Sequence, residues 1–152
     1  MSFYQAFGSK QQLFERCIDR YRDDTLQGLR AALAECGSAW DLIKGIFYST
    51  IEESEGREYH WGCLVMNAAT EFSQRDLTMA HQVGASAQAF MELFQEVIRM
   101  AQAEGRIPAQ RDPVILARFL LNSLSGFHTM LKAGTKRREA EELVEVIVSA
   151  LQ

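Results

Sequence analysis

The sequence has very little proline, with only Pro108 and Pro113 among its 152 residues. Scarce chain breakers, 47% hydrophobic residues and many Ala, Leu, Glu and Gln residues exclude a disordered chain and favour helix over sheet. The length is that of one compact domain with a core of its own. We therefore expect an all-α fold.

Cysteine is also scarce. Cys17, Cys36 and Cys63 are odd in number and show no close spacing with other Cys or His residues that is typical of a zinc site. They argue against a disulfide scaffold and against a structural metal site, and they fit a reducing compartment.

A long uninterrupted apolar run is missing. The most apolar stretch, residues 114–131, is broken by polar residues that include Arg118, Asn122, Ser123, Ser125 and His128. No leading apolar segment with a cleavable flank is present. These features predict a soluble, cytoplasmic protein with no membrane partner.

An excess of positive charge is absent too. The formal net charge is −4 and the pI is about 5.4, so the average field of the chain repels nucleic acid. Any contact with DNA would have to be local.

Motifs of catalysis are missing as well. The sequence contains no Gly-rich phosphate loop, no paired metal carboxylates at helical spacing and no His-x-x-x-His pattern. No local motif joins Cys63 or a serine to a histidine and a carboxylate. We expect a protein that is not an enzyme and that needs neither cofactor nor metal.

Helix-start signals divide the chain. Four positions carry residues that can cap the free amides of a first helical turn. They are Ser9 with Gln12, Ser38 with Asp41, Asp76, and Asp112 before Pro113. Apolar residues spaced by three or four follow each signal. They predict helices over about 10–37, 38–52, 61–72, 76–105, 112–134 and 139–151.

The last two predicted helices carry more apolar surface than a single layer of helices can bury, because the fifth is apolar on nearly every side. Pairing with a second copy in a four-helix bundle would cover them. The alternative is a buried central helix in a monomer. The residues that we assign to a homodimer interface are Phe119, Leu120, Leu124, Leu143 and Ile147.

Two segments, SFYQAFGSKQQLF at the start and WGCLVMNAATEF in the middle, resemble the TetR family of one-component transcriptional repressors. The resemblance implies a remnant of a helix-turn-helix recognition helix in residues 1–8, a connecting helix in 9–36, and an effector-binding and dimerisation domain in 37–152. It assigns Ser2 and Phe3 to the recognition helix and implies that Tyr4 and Lys10 contact phosphates of the operator DNA.

The resemblance also implies that the front of the helix-turn-helix is missing. A recognition helix reads bases with its front end while the preceding helix holds it against the DNA backbone. The nearby cations of residues 10–22 are interleaved with acidic residues. We therefore expect operator DNA to be a partner only of a full-length protein.

A TetR-like regulatory domain binds a small molecule in an apolar pocket between helices, oriented by a few polar groups. Aromatic, sulphur-bearing and polar side chains in the predicted helices are the candidates for binding the effector. We expect about half of them to serve core packing alone. The candidates are Phe47, Trp61, Cys63, Met66, Asn67, Phe90, Phe94, Phe127 and His128.

Cys63 follows Gly62 at a helix start, where the helix dipole can favour a thiolate. Some TetR-like regulators with a similar Gly-Cys-Leu segment respond to electrophiles or oxidants, so the resemblance suggests a small hydrophobic or electrophilic effector. Two alternatives stay open: Cys63 is a small buried apolar residue, or the protein is a dimerisation module without a ligand.

Overall fold

The computed structural model of the protein describes residue 6 and residues 8–55 and 62–152. Within these ranges the chain forms six helices and no strand, which confirms the all-α prediction. The helices are α1 (Lys10–Cys36), α2 (Ala39–Glu55), α3 (Leu64–Phe72), α4 (Leu77–Ala103), α5 (Pro113–Lys132) and α6 (Arg137–Ser149). Ser2, Phe3, Tyr4 and Trp61 lie outside the described residues.

The predicted capping residues begin four of the helices. Ser9 Oγ accepts a hydrogen bond from the backbone N–H of Gln12 at 3.1 Å, and Ser38 Oγ accepts from that of Asp41 at 3.3 Å. Asp76 Oδ1 accepts from the N–H of Met79 at 3.0 Å, and Asp112 Oδ1 accepts from that of Val114 at 2.8 Å. Each carboxylate or hydroxyl satisfies an amide that has no partner inside its helix.

Helix α2 has a second cap that the sequence does not predict. Glu104, just after α4, accepts hydrogen bonds from the backbone N–H groups of Ala39 and Trp40 and from the Ser38 hydroxyl. Burial acts to raise the pKa of Glu104, but these hydrogen bonds to its carboxylate outweigh burial and hold the pKa below its ordinary value. The cap ties the end of α4 to the start of α2.

The helices enclose two separate hydrophobic cores. The large core joins α2, the C-terminal half of α4, α5 and α6, and the small core joins α3 with the N-terminal halves of α1 and α4. The buried residues of the small core are Ile18, Val65, Ala68, Met79, Val83 and Phe90. We call the boundary between the two cores the seam; partly buried Leu26 and Leu121 pack against both sides of it.

Helices α5 and α6 are only partly covered by their own protomer. Leu120 and Ile147, which the sequence analysis assigns to a dimer interface, are 1% and 6% exposed and belong to the large core. Periodicity identified their apolar stripes correctly, but these two residues face helices of the same chain. A second stripe on each helix remains exposed, with Ile115 and Met130 on α5 and Leu143 and Val146 on α6.

Among the described residues, α5 is the one helix long and apolar enough to cross a membrane by length and composition. Only 28% of its most apolar window is buried inside the protomer. Among its large apolar side chains, Ile115 and Met130 are exposed in the protomer.

Candidate functional site

A small cavity lies on the seam, enclosed by α1, the start of α3, α4 and α5. Its volume is about 60 Å³. Residues of both cores line it, so its shape depends on how the two cores sit against each other. The lining residues are Tyr21, Thr25, Leu29, Cys63, Met66, Phe90, Phe94, Leu121, Leu124, Ser125 and His128.

The Gly-Cys-Leu segment positions one wall of this cavity. Gly62 has φ +70°, a left-handed conformation that costs a residue with a Cβ on the order of 1 to 2 kcal/mol. The chain then becomes extended at Cys63, the N-cap of α3, whose carbonyl accepts a hydrogen bond from the Asn67 N–H at 3.0 Å. The turn at Gly62 thus places Cys63 at the N-terminus of α3.

Tyr21 of α1 belongs to this wall. It lines the cavity together with Thr25 of the same helix and Cys63. Burial, and after it the neighbouring Cys63 thiol, raises the pKa of Tyr21 well above its ordinary value. The hydroxyl is therefore neutral at physiological pH and can both donate and accept.

The lining of the cavity is mainly apolar but includes polar residues. Tyr21, Thr25, Cys63, Ser125 and His128 carry hydroxyl, thiol and imidazole groups, and the other lining residues are aromatic, aliphatic or Met. Ser125 Oγ donates to the Leu121 carbonyl at 2.8 Å, so its lone pairs remain able to accept from a ligand. Such an arrangement can bind an apolar molecule and orient one polar group on it.

A larger cleft of about 460 Å³ adjoins the cavity. The two share Cys63, Met66, Ser125 and His128, and the cleft continues over Asn67, Thr70, Glu71, Thr129 and Lys132. A cavity of about 60 Å³ has room for roughly two water molecules. A ligand larger than that must extend into the cleft or push the two cores apart.

The candidate effector residues fall into three groups. Cys63, Met66, Phe90, Phe94 and His128 line the cavity, and Asn67 lines the adjoining cleft. Phe47 and Phe127 lie elsewhere: their rings meet edge to face at 5.3 Å between centroids inside the large core. Trp61 lies outside the described residues.

Sequence reasoning missed the contribution of α1. Tyr21, Thr25 and Leu29 are spaced by four residues and form one stripe that faces the cavity. This spacing is visible in the sequence, but α1 was assigned to connection rather than to binding. Leu124, predicted at the dimer interface, also lines the cavity.

Two of the cations of α1 are engaged by acidic neighbours. Arg20 pairs with Asp24 at 2.7 Å, and Arg22 pairs with Asp19 and Asp23 at 3.0 and 2.8 Å. Lys10 is exposed at the first turn of α1. Paired cations form a weak phosphate track, because a salt-bridged guanidinium has to give up its partner before it binds DNA.

Comparison with known proteins places this fold in a family. The sequence profile described as "Tetracyclin repressor-like, C-terminal domain" matches residues 39–147. The chain belongs to the TetR family of transcriptional regulators. The family's members are regulators that bind DNA rather than enzymes.

Individual TetR-family relatives are distant but match along nearly the whole chain. The transcriptional repressor DhaR of Mycobacterium sp. (strain GP1) is 24% identical over 151 residues, which are 99% of this chain and 74% of DhaR. The regulator YezE of Bacillus subtilis (strain 168), itself uncharacterized, is 22% identical over 151 residues, covering 99% of this chain and 78% of YezE.

Solved structures agree with this assignment. A cysteine-substituted variant of the TetR family transcriptional regulator CifR, in complex with 26-bp operator DNA, superposes with a TM-score of 0.83 at 26% identity, over 98% of this chain and 78% of CifR. A TetR regulator from Chloroflexus aurantiacus J-10-FL gives a TM-score of 0.80 at 19% identity over 97% of this chain and 75% of its own, which supports the fold alone.

Proposed function

We propose that this TetR-family regulator is a cytoplasmic, ligand-responsive transcriptional repressor and that the cavity on the seam is its effector site. The observation that carries the proposal is the position of the cavity. It lies between the small core, which holds the N-terminal half of α1, and the large core, which holds α5 and α6. A molecule in the cavity therefore contacts both cores at once.

The lining indicates the class of effector. The rings of Phe90 and Phe94 favour a small apolar or aromatic ligand, and the hydroxyl, thiol and imidazole groups of the lining favour one uncharged polar substituent on it. No lysine, arginine or carboxylate lies among the lining residues of the cavity, so a charged ligand would lose its hydration without gaining an ion pair. An aromatic or alicyclic alcohol, ketone or phenol fits these requirements.

Binding can regulate only through a difference in affinity. A ligand that binds two arrangements of the cores equally well shifts neither population. The cavity of about 60 Å³ is smaller than a benzene-sized ligand requires, so binding favours an arrangement with a wider seam. In the repressor dimer, that change would alter the spacing of the two DNA-reading heads.

We propose that the exposed stripes of α5 and α6 pair with a second copy of the chain. Ile115 is 54% exposed and Val146 is 62% exposed in the single protomer, and partly buried Phe119 lies on the stripe of Ile115. Large apolar side chains that stay exposed on two helices in contact favour an interaction site. A homodimer covers the α5 surface and makes a membrane partner unnecessary.

A second candidate function is a thiol-based sensor of electrophiles or oxidants. The observation that favours it is that Cys63 lines both the cavity and the cleft, so a small reagent that enters either space reaches the sulphur. Mass spectrometry after mild alkylation tests it. If Cys63 stays unlabelled while exposed Cys36 is labelled, the sensor function is wrong.

Operator DNA is the proposed target of the repressor. The ion pairs along α1 support a model in which residues 9–55 and 62–152 make few phosphate contacts themselves.

A thermal-shift titration tests the effector proposal. Benzyl alcohol and cyclohexanol are suitable probes, with benzoate as the charged control. A ligand that binds only the folded state stabilises it by about 2.7 kcal/mol at 100 times its Kd, so we expect the alcohols to raise the Tm with concentration.

Two serines of α5 supply the matched variants. Ser125→Leu fills the cavity and should abolish the Tm shift, whereas Ser123→Leu, on the same helix outside the lining, should keep it. If none of the probes raises the Tm of the unmodified protein, the proposal of an apolar alcohol effector is wrong and the dimerisation module is favoured.

A further inference from the structure

The cleft beside the cavity runs between α3, with the turn before it, and the C-terminal half of α5. Its lining residues recur every three or four positions on both helices, so each helix presents one stripe to the cleft. From Ser125 to Lys132 the stripe on α5 rises by about 10 Å. Together with a volume of about 460 Å³, this length leaves room for a group of the size of a sugar ring.

Burial decreases along the cleft, away from the cavity. The four residues that the cleft shares with the cavity are half-buried: Cys63, Met66, Ser125 and His128. Five residues that line the cleft alone are exposed: Asn67, Thr70, Glu71, Thr129 and Lys132. An apolar part of a ligand therefore gains most at the cavity, where it leaves water, and a polar part stays solvated in the cleft. The cleft fits the polar end of a molecule whose apolar end occupies the cavity.

Three hydroxyl groups of the cleft act as hydrogen-bond acceptors towards a ligand. Thr70 Oγ1 donates its hydrogen to the Met66 carbonyl at 3.1 Å, and Thr129 Oγ1 donates to the Ser125 carbonyl at 2.9 Å. Ser125 Oγ likewise donates to the Leu121 carbonyl. A hydroxyl has one hydrogen and two lone pairs, so each of the three retains lone pairs that can accept. These acceptors call for a ligand that supplies several hydrogen-bond donors.

The two charged side chains of the cleft have opposite signs. Glu71 lies on α3 and Lys132 in the last turn of α5, and neither forms an ion pair within the part of the chain that the structure describes. An anionic group would meet Glu71 and the acceptor hydroxyls, and a cationic group would meet Lys132. An uncharged group with several hydroxyls avoids both conflicts, because it can donate to Glu71 and the threonines and accept from Lys132.

We propose that the cleft is a subsite for an uncharged, polyhydroxylated substituent, and that the effector is an aromatic molecule that carries such a group, as an aryl glycoside does. This inference rests on the proposed effector function of the cavity. The aromatic ring occupies the cavity, and hydroxyls of the substituent donate to Glu71, Thr70 and Thr129 and accept from Lys132. Glu71 on α3 and Thr129 on α5 are the residues that select the substituent.

Isothermal titration calorimetry of the full chain with matched probes tests the subsite. Benzyl alcohol reports on the cavity, benzyl β-D-glucopyranoside adds the sugar ring, and methyl β-D-glucopyranoside supplies the sugar without the aromatic ring. We expect the benzyl glucoside to bind about tenfold more tightly than benzyl alcohol, the scale of one or two net hydrogen bonds, and more tightly than the methyl glucoside. Phenethylamine and 3-phenylpropionate carry a charge in place of the sugar and should not gain this affinity.

A double variant locates the sugar. Glu71→Ala combined with Thr129→Val removes one acceptor from each helix, and the Kd of the benzyl glucoside should approach that of benzyl alcohol. The Kd of benzyl alcohol itself should change by less than about twofold, because neither residue lines the cavity, and this also shows that the variant is folded. The matched control is Thr78→Val combined with Glu96→Ala, at exposed positions of α4 outside both linings, and it should keep the preference for the glucoside.

The outcomes separate the two proposals. If benzyl alcohol binds and the benzyl glucoside binds no more tightly, or if the double variant weakens both equally, the subsite is wrong and the cavity remains the effector site. If the methyl glucoside binds, the double variant abolishes that binding and benzyl alcohol does not bind, the subsite holds and the cavity proposal is wrong. If no probe binds, both are wrong. Tighter binding of phenethylamine or 3-phenylpropionate than of the benzyl glucoside would overturn the uncharged class.

Discussion

The carboxylate of Glu104 caps α2 by accepting a hydrogen bond from the backbone N–H of Ala39 at 2.6 Å, across 65 residues of sequence. The same carboxylate accepts from Trp40, and the hydrogen bonds together lower its pKa. Because a lowered pKa means that folding favours the charged form, this contribution is present above the ordinary pKa of 4.5 and is lost as the pH falls through the folded-state value.

We expect Glu104→Gln to lower the free energy of unfolding by about 1 kcal/mol at pH 7, the scale of a lost cap on a solvated helix end. The difference from the unmodified protein should shrink as the pH falls below 4.5, measured by urea denaturation at several pH values. Glu96→Gln, on an exposed position of α4, is the control. A difference that stays constant down to pH 3 would show that the charge of Glu104 does not matter.

How far the sequence predicts the fold is clear at the helix ends. Ser9, Asp76 and Asp112 act on amides two or three residues away, so local spacing reveals them. Glu104 acts on a helix that begins 65 residues earlier, and no local pattern contains that pairing. The structure therefore adds the contacts that depend on tertiary packing.

The candidate site shows the same limit. Periodicity marks an apolar face but does not say which neighbour covers it, so Leu120 was assigned to a partner and Phe47 to a pocket although both lie in the large core. Cys63 and Met66 were found because the Gly-Cys-Leu segment stands out in the sequence. Tyr21 and Thr25 were missed because the other residues that line the cavity lie far along the chain, from Cys63 to His128.

A substitution of Phe127 tests whether its side chain packs in the large core. Phe127→Ala should lower the free energy of unfolding by about 3 to 5 kcal/mol, because it leaves a void beside the fully buried ring of Phe47. Leu77→Ala, at a position that is 89% exposed, should cost less than about 0.5 kcal/mol. Chemical denaturation measures both. Equal effects of the two substitutions would contradict the packing of α5 described above.

Alanine substitutions at two glycines distinguish the effect of backbone strain on stability from the effect of helix propensity. Gly62→Ala should destabilise the protein by about 1 to 2 kcal/mol, because Gly62 has φ +70°. Gly45→Ala lies inside α2 with open space around its Cβ position, and should stabilise by about 0.5 to 1 kcal/mol. Thermal denaturation compares them. A stabilising Gly62→Ala would mean that the turn before Cys63 is not held in this conformation.

The exposed stripes of α5 and α6 make a prediction about assembly. Met130→Glu combined with Val146→Glu should convert a dimer to a folded monomer at micromolar concentration, because both side chains are more than half exposed in the protomer and a buried unpaired carboxylate is costly. Leu77→Glu is the control. Sedimentation equilibrium gives the masses. An unmodified protein that sediments as a monomer would contradict the dimer.

The most direct test of the central claim is a crystal structure of the protein with bound benzyl alcohol. We expect the ring to contact Phe90 and Phe94, the ligand hydroxyl to lie within hydrogen-bond distance of Tyr21 or Cys63, and the seam between the two cores to be wider. A ligand bound elsewhere, or an occupied cavity with both cores unmoved, would contradict it.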